Sequence, residues 1–368
     1  MKPAPLRTVV DRWRMHRLAL AWALADDGAA AGGWDARMGD FPLSGPSAAE
    51  FLDFLRWHGL ISVWLAECQR SGWLERLEPE IAGCLRDEDR LARVQFMVQS
   101  LALRQLGQAL DGLPLPHLVF KGVALRDELY VQPHVRSATD IDVLVHPADR
   151  DAAGRVLESL GFVHTGDFSS AHEETWQRGS VDVDLHWDVL APGRTRESLV
   201  DGLLARKVRS PACWRPCDED TVMLMLLHPA VTKYVCSPHV GLNRVADLLR
   251  LVHQRDIDWV VVSERIRQTG LSAAAWAMLT WVDQLVAGPS ASFADSIPQA
   301  FRETLRPGPL RAAYLRGWIT HDLPGRMVDR ADWLVRIGFT LPFHDNLADA
   351  FRASSHRLRR TGGLRPEK

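Results

Sequence analysis

The sequence predicts an α+β protein, a mixed α/β core embedded between two helical regions. Three observations carry that prediction. Between Leu118 and Trp187, short apolar runs alternate with glycine and proline turns, and two of the runs carry carboxylates at every second position. Ahead of that stretch, from Ser47 to Leu110, apolar residues recur at helical spacing. After Pro192 the helical pattern returns. The expected organisation is a helical region over residues 1–112, a core over 113–192, a helical region over 193–350 and a basic, poorly ordered tail over 351–368.

Met1 to Ala31 read as one helix running into a Gly/Ala loop and packing through Leu18, Trp22 and Ala25. Arg12, Arg14 and Arg17 ahead of an apolar run imitate an export signal. That run is short, and the stretch before it is long and carries Asp11. Residues 34–47, punctuated by Gly and Pro, read as a connection. Ser47 with Glu50 resembles a capping box opening a helix that Gly72 breaks. Leu74 to Leu85 form another helix, and Asp87 to Leu110 the strongest. Its stripe of Leu91, Val94, Met97, Val98 and Leu101 is expected to face the core.

Leu118 to Phe120 read as a short buried strand, Gly122 as the pivot of a tight turn, and Val123 to Tyr130 as a helix whose N-terminus suits phosphate. Asp140 to Val145 form the second strand, and Asp149 to Leu160 a helix closed by Gly161. Strands at Phe162 to His164, Trp176 to Arg178 and Val181 to Trp187 follow. Further helices are expected over 219–227, 243–253, 259–269, 272–286, 298–305, 310–318 and 330–339.

A formal net charge of −2 gives no global nucleic-acid signature. The 14 tryptophans suggest large helix-packing surfaces or pockets. Five irregularly spaced cysteines fit reduced thiols and a cytoplasmic setting better than a disulfide framework. Cys213 and Cys217 with Cys236, His228 and His239 lack regular zinc spacing. No apolar run approaches the ~18 residues of a membrane span.

The chemistry sits in the acidic strands. Asp140 and Asp142 share one strand face, about 6.6 Å apart at ~3.3 Å rise per residue. Such a pair repels itself unless a cation or proton intervenes. Hard oxygen donors on a rigid strand suit Mg²⁺. Asp182, Asp184 and His186 repeat the pattern on the second strand. The plainer alternative is a pair of acids on a half-solvated strand.

Strand, Gly turn, helix, Asp-x-Asp strand and a third acid on a later strand: this order resembles the DNA polymerase β-type nucleotidyltransferase superfamily. More narrowly, residues 118–187 are similar to a group of uncharacterised nucleotidyltransferases. The shared motifs are Lys121-Gly122, Arg136 through Asp140-Ile141-Asp142 to Val145, and Asp184-Leu185-His186-Trp187. A weaker likeness covers His228, Lys233 and Asp247, for which a polar seam between helices is the preferred reading. The chain departs from the pattern at Val123, where the superfamily has Ser or Gly, and at Tyr234, where the group has His.

The resemblance implies a polymerase β-type core and two Mg²⁺ ions, or Mn²⁺, held by Asp140, Asp142 and Asp184. Asp184 is favoured over Asp182, a rim acid on this reading. An NTP, ATP above all, would meet Lys121, Gly122, Arg136 and His186. For Arg136, phosphate is preferred to pairing with Asp140; Lys121 is either a phosphate contact or a solvated strand end. His186 is either a carboxylate-orienting group or a satisfied strand histidine. The implied reaction moves AMP to a hydroxyl-type acceptor on a small molecule or peptide, in a natural-product setting, with no membrane partner and nucleic acid disfavoured. The rivals are a non-catalytic scaffold and a toxin–antitoxin-type enzyme acting on protein or tRNA.

Overall fold

Successive side chains on a strand point to opposite faces, and this alternation divides the central sheet into an apolar and an acidic side. The structure is a computed structural model describing residues 9–24, 46–165, 171–235, 240–286, 291–321, 338 and 341–361. Before the sheet come α1 (Val9–Ala23), α2 (Pro46–Trp57), α3 (Ile61–Arg70) and α4 (Pro79–Gly112). The core follows with β1 (His117–Phe120), α5 (Gly122–Leu129), β2 (Asp140–Val145), α6 (Arg150–Ser159), β3 (Val163–His164), β4 (Glu173–Arg178) and β5 (Val181–His186). The sheet order is β1-β2-β5-β4-β3, with β2 and β5 parallel and the other pairs antiparallel. This is the α+β class that the sequence predicts.

Ile141, Val143, Val145, Val183 and Leu185 share a buried cluster with Leu103, Leu106 and Leu110 of α4 and with Val156 and Leu157 of α6. On the other side, Leu118, Phe120 and Leu144 join a larger cluster reaching from Ala19 to Phe343. It takes in most of the C-terminal helices. These are α7 (Val200–Ala205), then, past the small hairpin β6 (Val208–Arg209) and β7 (Trp214–Arg215), α8 (Asp218–His228), which runs into a π-helical turn (Pro229–Tyr234). They continue as α9 (Leu242–Gln254), α10 (Trp259–Thr269), α11 (Ser272–Leu285), α12 (Ala291–Asp295), α13 (Gln299–Leu305), α14 (Pro309–Thr320) and α15 (Leu347–Thr361). Among the described residues, no helix is long and apolar enough to cross a membrane.

Several elements differ from expectation. α1 packs through partly buried Leu18 and buried Trp22 as expected, and buries Leu20 as well; Trp22 stacks on Trp64 of α3 with ring centroids 5.0 Å apart, and Ala25 lies outside the described residues. The second helix begins at Pro46, so Ser47 lies within its first turn instead of ahead of it. It stops at Trp57, and Gly59, at φ +65°, turns the chain into α3. A Cβ on Gly59 would lie 2.5 Å from Asn243 Nδ2, so both backbone conformation and close packing call for glycine there.

Residues 79–112 form one 34-residue helix, and its expected core stripe is exposed at Leu91, Val94, Met97 and Leu101, while Val98 packs partly buried against the core. Leu91 is 66% and Met97 59% accessible. The buried side of that stretch is polar instead. Buried Arg126 donates to Gln99 Oε1 (2.8 Å) and Ser100 Oγ (3.1 Å) and lies over the Phe96 ring. The tail expected to be poorly ordered from residue 351 continues as helix to Thr361. Most of the connection over 34–47, all but one residue of the expected helix over 330–339, and residues 362–368 lie outside the described residues.

Candidate active site

Strand register assembles the acids. β2 and β5 run parallel with Asp140 opposite Asp182 and Asp142 opposite Asp184, so all four carboxylates and His186 take the same face. Asp140, Asp142 and Asp184 line a cleft of about 550 Å³. Asp182 is not among its lining residues and accepts from Gln177 Nε2 at 2.9 Å. Ligand atoms of Asp142, Asp184 and His186 lie within 4.8 Å of one another, close enough to hold a metal ion. The carboxylates supply the hard oxygens that Mg²⁺ or Mn²⁺ prefers.

The acids differ electrostatically. Burial pushes the Asp142 carboxyl up, but Lys121 Nζ at 2.5 Å and His186 Nε2 at 2.9 Å outweigh it and hold the group well below the usual range. Asp140 is raised by burial and then by the Asp142 charge, against the pull of Lys121. Asp184 is raised by burial, offset in part by the hydrogen bond from Thr175 Oγ1 at 2.8 Å, with Asp142 adding to the rise. One carboxylate is thus firmly ionised between two that carry their charge at a cost.

The turn into α5 works differently from the expected glycine pivot. The positive φ falls on Lys121 (φ 62°, ψ −146°), a region that side chains rarely occupy. Gly122 answers a packing demand: a Cβ there would lie 3.1 Å from Arg136 Nη2. Lys121, Gly122 and Ala124 all line the cleft, so the start of α5 faces it.

A family model described as uncharacterised nucleotidyltransferase matches residues 44–287. The chain belongs to that family. No curated protein matches it. The chain is therefore an enzyme that transfers nucleotide, and the scaffold reading gives way. The match spans α2 to α11, so the acidic sheet and the helices facing it across the cleft both fall inside.

In this nucleotidyltransferase Arg136 does not present a free fork. Its Nε donates to both oxygens of Asp247 at 2.9 Å and its Nη2 to Oδ2 at 2.6 Å, while Nη1 donates to the Ser137 carbonyl. Tyr130 Oη also donates to Asp247, at 2.7 Å. Burial opposes the Arg136 charge, and Asp247 more than restores it. Its protein partner is Asp247 rather than Asp140, the pair clamps α9 to the turn before β2, and Arg136 still lines the cleft.

Asp247 joins Arg136 and Tyr130 in a seam between elements and also lines the cleft, as His228 and Lys233 do. Burial, with Lys121 and Arg244 nearby, drives the His228 pKa well below its ordinary value, so its ring is neutral. Several lining residues escaped the sequence reading, two of them charged groups beside those already described. Glu173 of β4 reaches His186 Nδ1 at 3.3 Å, which sets His186 between two carboxylates. Arg244 stands in the first turn of α9. The available signal was Arg244, Asp247 and Arg250 recurring every third residue in a helix that is otherwise apolar there.

Proposed function

We propose that the enzyme moves a nucleoside monophosphate, AMP foremost, from an NTP to a hydroxyl on a small molecule or peptide, releasing pyrophosphate, within natural-product biosynthesis. The observation that carries this reading is the convergence of Asp140, Asp142 and Asp184 on one sheet face within a single cleft. These three residues would hold two Mg²⁺ or Mn²⁺ ions. Once bound, such ions supply a clamp on the attacking and leaving oxygens. His186 orients Asp142 through its 2.9 Å contact. Lys121 brings a positive charge to the metal side of the cleft, next to where phosphate would sit. Asp184, raised by burial, is the better base for the acceptor hydroxyl. A cleft of about 550 Å³ suits a nucleotide with a small acceptor group. The free thiols of Cys68, Cys84, Cys213 and Cys217 support a cytoplasmic setting.

The test incubates the protein with each α-³²P-labelled NTP, Mg²⁺ or Mn²⁺ and extract of the native host. The expected outcome is label on an acceptor with the wild type and none with the Asp140→Ala/Asp142→Ala double variant. Asp182→Asn is expected to keep most of the activity. Undiminished labelling by the double variant would overturn the proposal, and loss of labelling in Asp182→Asn alone would move the third acid.

A further inference from the structure

The wall of the cleft opposite the acids carries a cation with nothing to bind. Arg244 lines the cleft and is half-buried, yet among the described residues its guanidinium makes neither a hydrogen bond nor an ion pair. Arginines of comparable burial elsewhere in the chain are committed: Arg136 to Asp247, Arg215 to Glu128 and Asp218, Arg265 to Asp220. The Arg244 charge is disfavoured by burial and then by the neighbouring Arg136, with Asp142, Asp140 and Asp247 only partly offsetting this. Lys233, on the π-helical turn, lines the same cleft and is lowered by burial and by the charges of Arg244 and Lys121. Half-burying a guanidinium without a partner costs stability. A group kept at that cost in a cleft is a functional candidate.

We propose that Arg244, seconded by Lys233, is the phosphate clamp of the nucleotide site, gripping the polyphosphate from the helical wall while the sheet acids face it. The inference rests on the nucleotidyl-transfer reading, and it gives the fork expected of Arg136 to a residue whose donors are free. The chemistry fits, because a planar guanidinium matches phosphate oxygens two at a time. It also accounts for the opposed charges of the two walls: metal-binding carboxylates on the sheet, cations on the helices.

The experiment titrates the full-length protein with fluorescent N-methylanthraniloyl derivatives of ATP, GTP, CTP and UTP, and separately with inorganic tripolyphosphate, in Mg²⁺. Wild type, Arg244→Gln, Arg244→Lys and Lys233→Gln are compared, and melting temperatures are recorded alongside. Arg244→Gln is expected to weaken both probes by about tenfold or more, at a melting temperature equal to or above wild type. Arg244→Lys is expected to fall between, keeping the charge but not the fork. Lys233→Gln is expected to lose less than Arg244→Gln. Unchanged tripolyphosphate affinity in Arg244→Gln would overturn the clamp. So would a melting temperature several degrees lower in that variant, because Arg244 would then be a structural group with a partner. If wild type binds tripolyphosphate through Arg244 but none of the nucleotides, the clamp stands and the nucleotide reading falls. If wild type binds neither, both fall.

Discussion

Lys121 combines a strained backbone with a charge placed against the site. At φ 62° its Cβ is crowded, yet its ammonium reaches Asp142 Oδ1 at 2.5 Å and lies over the Phe120 ring. The strain orients that side chain back toward β2. Two variants separate the backbone from the charge. Lys121→Gly and Lys121→Ala both remove the ammonium and are expected to lose label transfer alike. Only glycine relieves the backbone, so Lys121→Gly is expected to be about 1–2 kcal/mol more stable than Lys121→Ala by urea unfolding. Equal midpoints would show that the backbone bears no strain. The acids themselves were legible in the sequence, because the two-residue period of a strand turns sequence parity into a face. The partner of Arg136 was not, because Asp247 lies 111 residues away and local spacing holds no record of which distant carboxylate a guanidinium meets.

At the scale of elements, α4 shows how a sound periodicity can point the wrong way. Leu91, Val94, Met97 and Leu101 repeat at helical spacing but are exposed, while Gln99 is fully buried. The reason is Arg126, which enters from α5, where burial pulls its guanidinium down to about 10 even with Asp127 close by. Gln99 satisfies it and also donates to the Ala138 carbonyl at 3.0 Å, just ahead of the acidic strand. The inner side of this part of α4 is thus a polar brace for β2, and hydrophobicity alone cannot reveal it. Gln99→Leu removes one of the two hydrogen bonds that the buried guanidinium makes, along with the one to the Ala138 carbonyl, and is expected to cost about 1–3 kcal/mol. Met97→Gln is expected to stay within about 0.5 kcal/mol of wild type. Chemical denaturation of the two variants decides the matter, since a core-facing stripe would reverse the order.

At the scale of the whole molecule, the expected core of residues 113–192 does not own its interior. Leu118, Phe120, Leu125, Leu129, Tyr130, Val135 and Leu144 belong to a cluster that also contains Trp22 and Trp64 from the first helical region and Leu248 and Leu279 from the last. Buried apolar side chains of this size are worth about 1.5–3 kcal/mol each, so exposing seven of them exceeds the stability of an ordinary small domain. Excision would also strand Arg136 without Asp247, an ion pair buried on both sides. A fragment spanning 113–192 is therefore expected to be unfolded, with collapsed amide dispersion in its NMR spectrum. The full chain is expected to lose its near-ultraviolet tryptophan signal and its far-ultraviolet helix signal at one temperature. A folded fragment, or two separated transitions in the full chain, would show that sheet and helices are independent units. A single transition would mean that the acids on the sheet and the cations on the helical wall hold their spacing through one shared interior, as a site built from both walls requires.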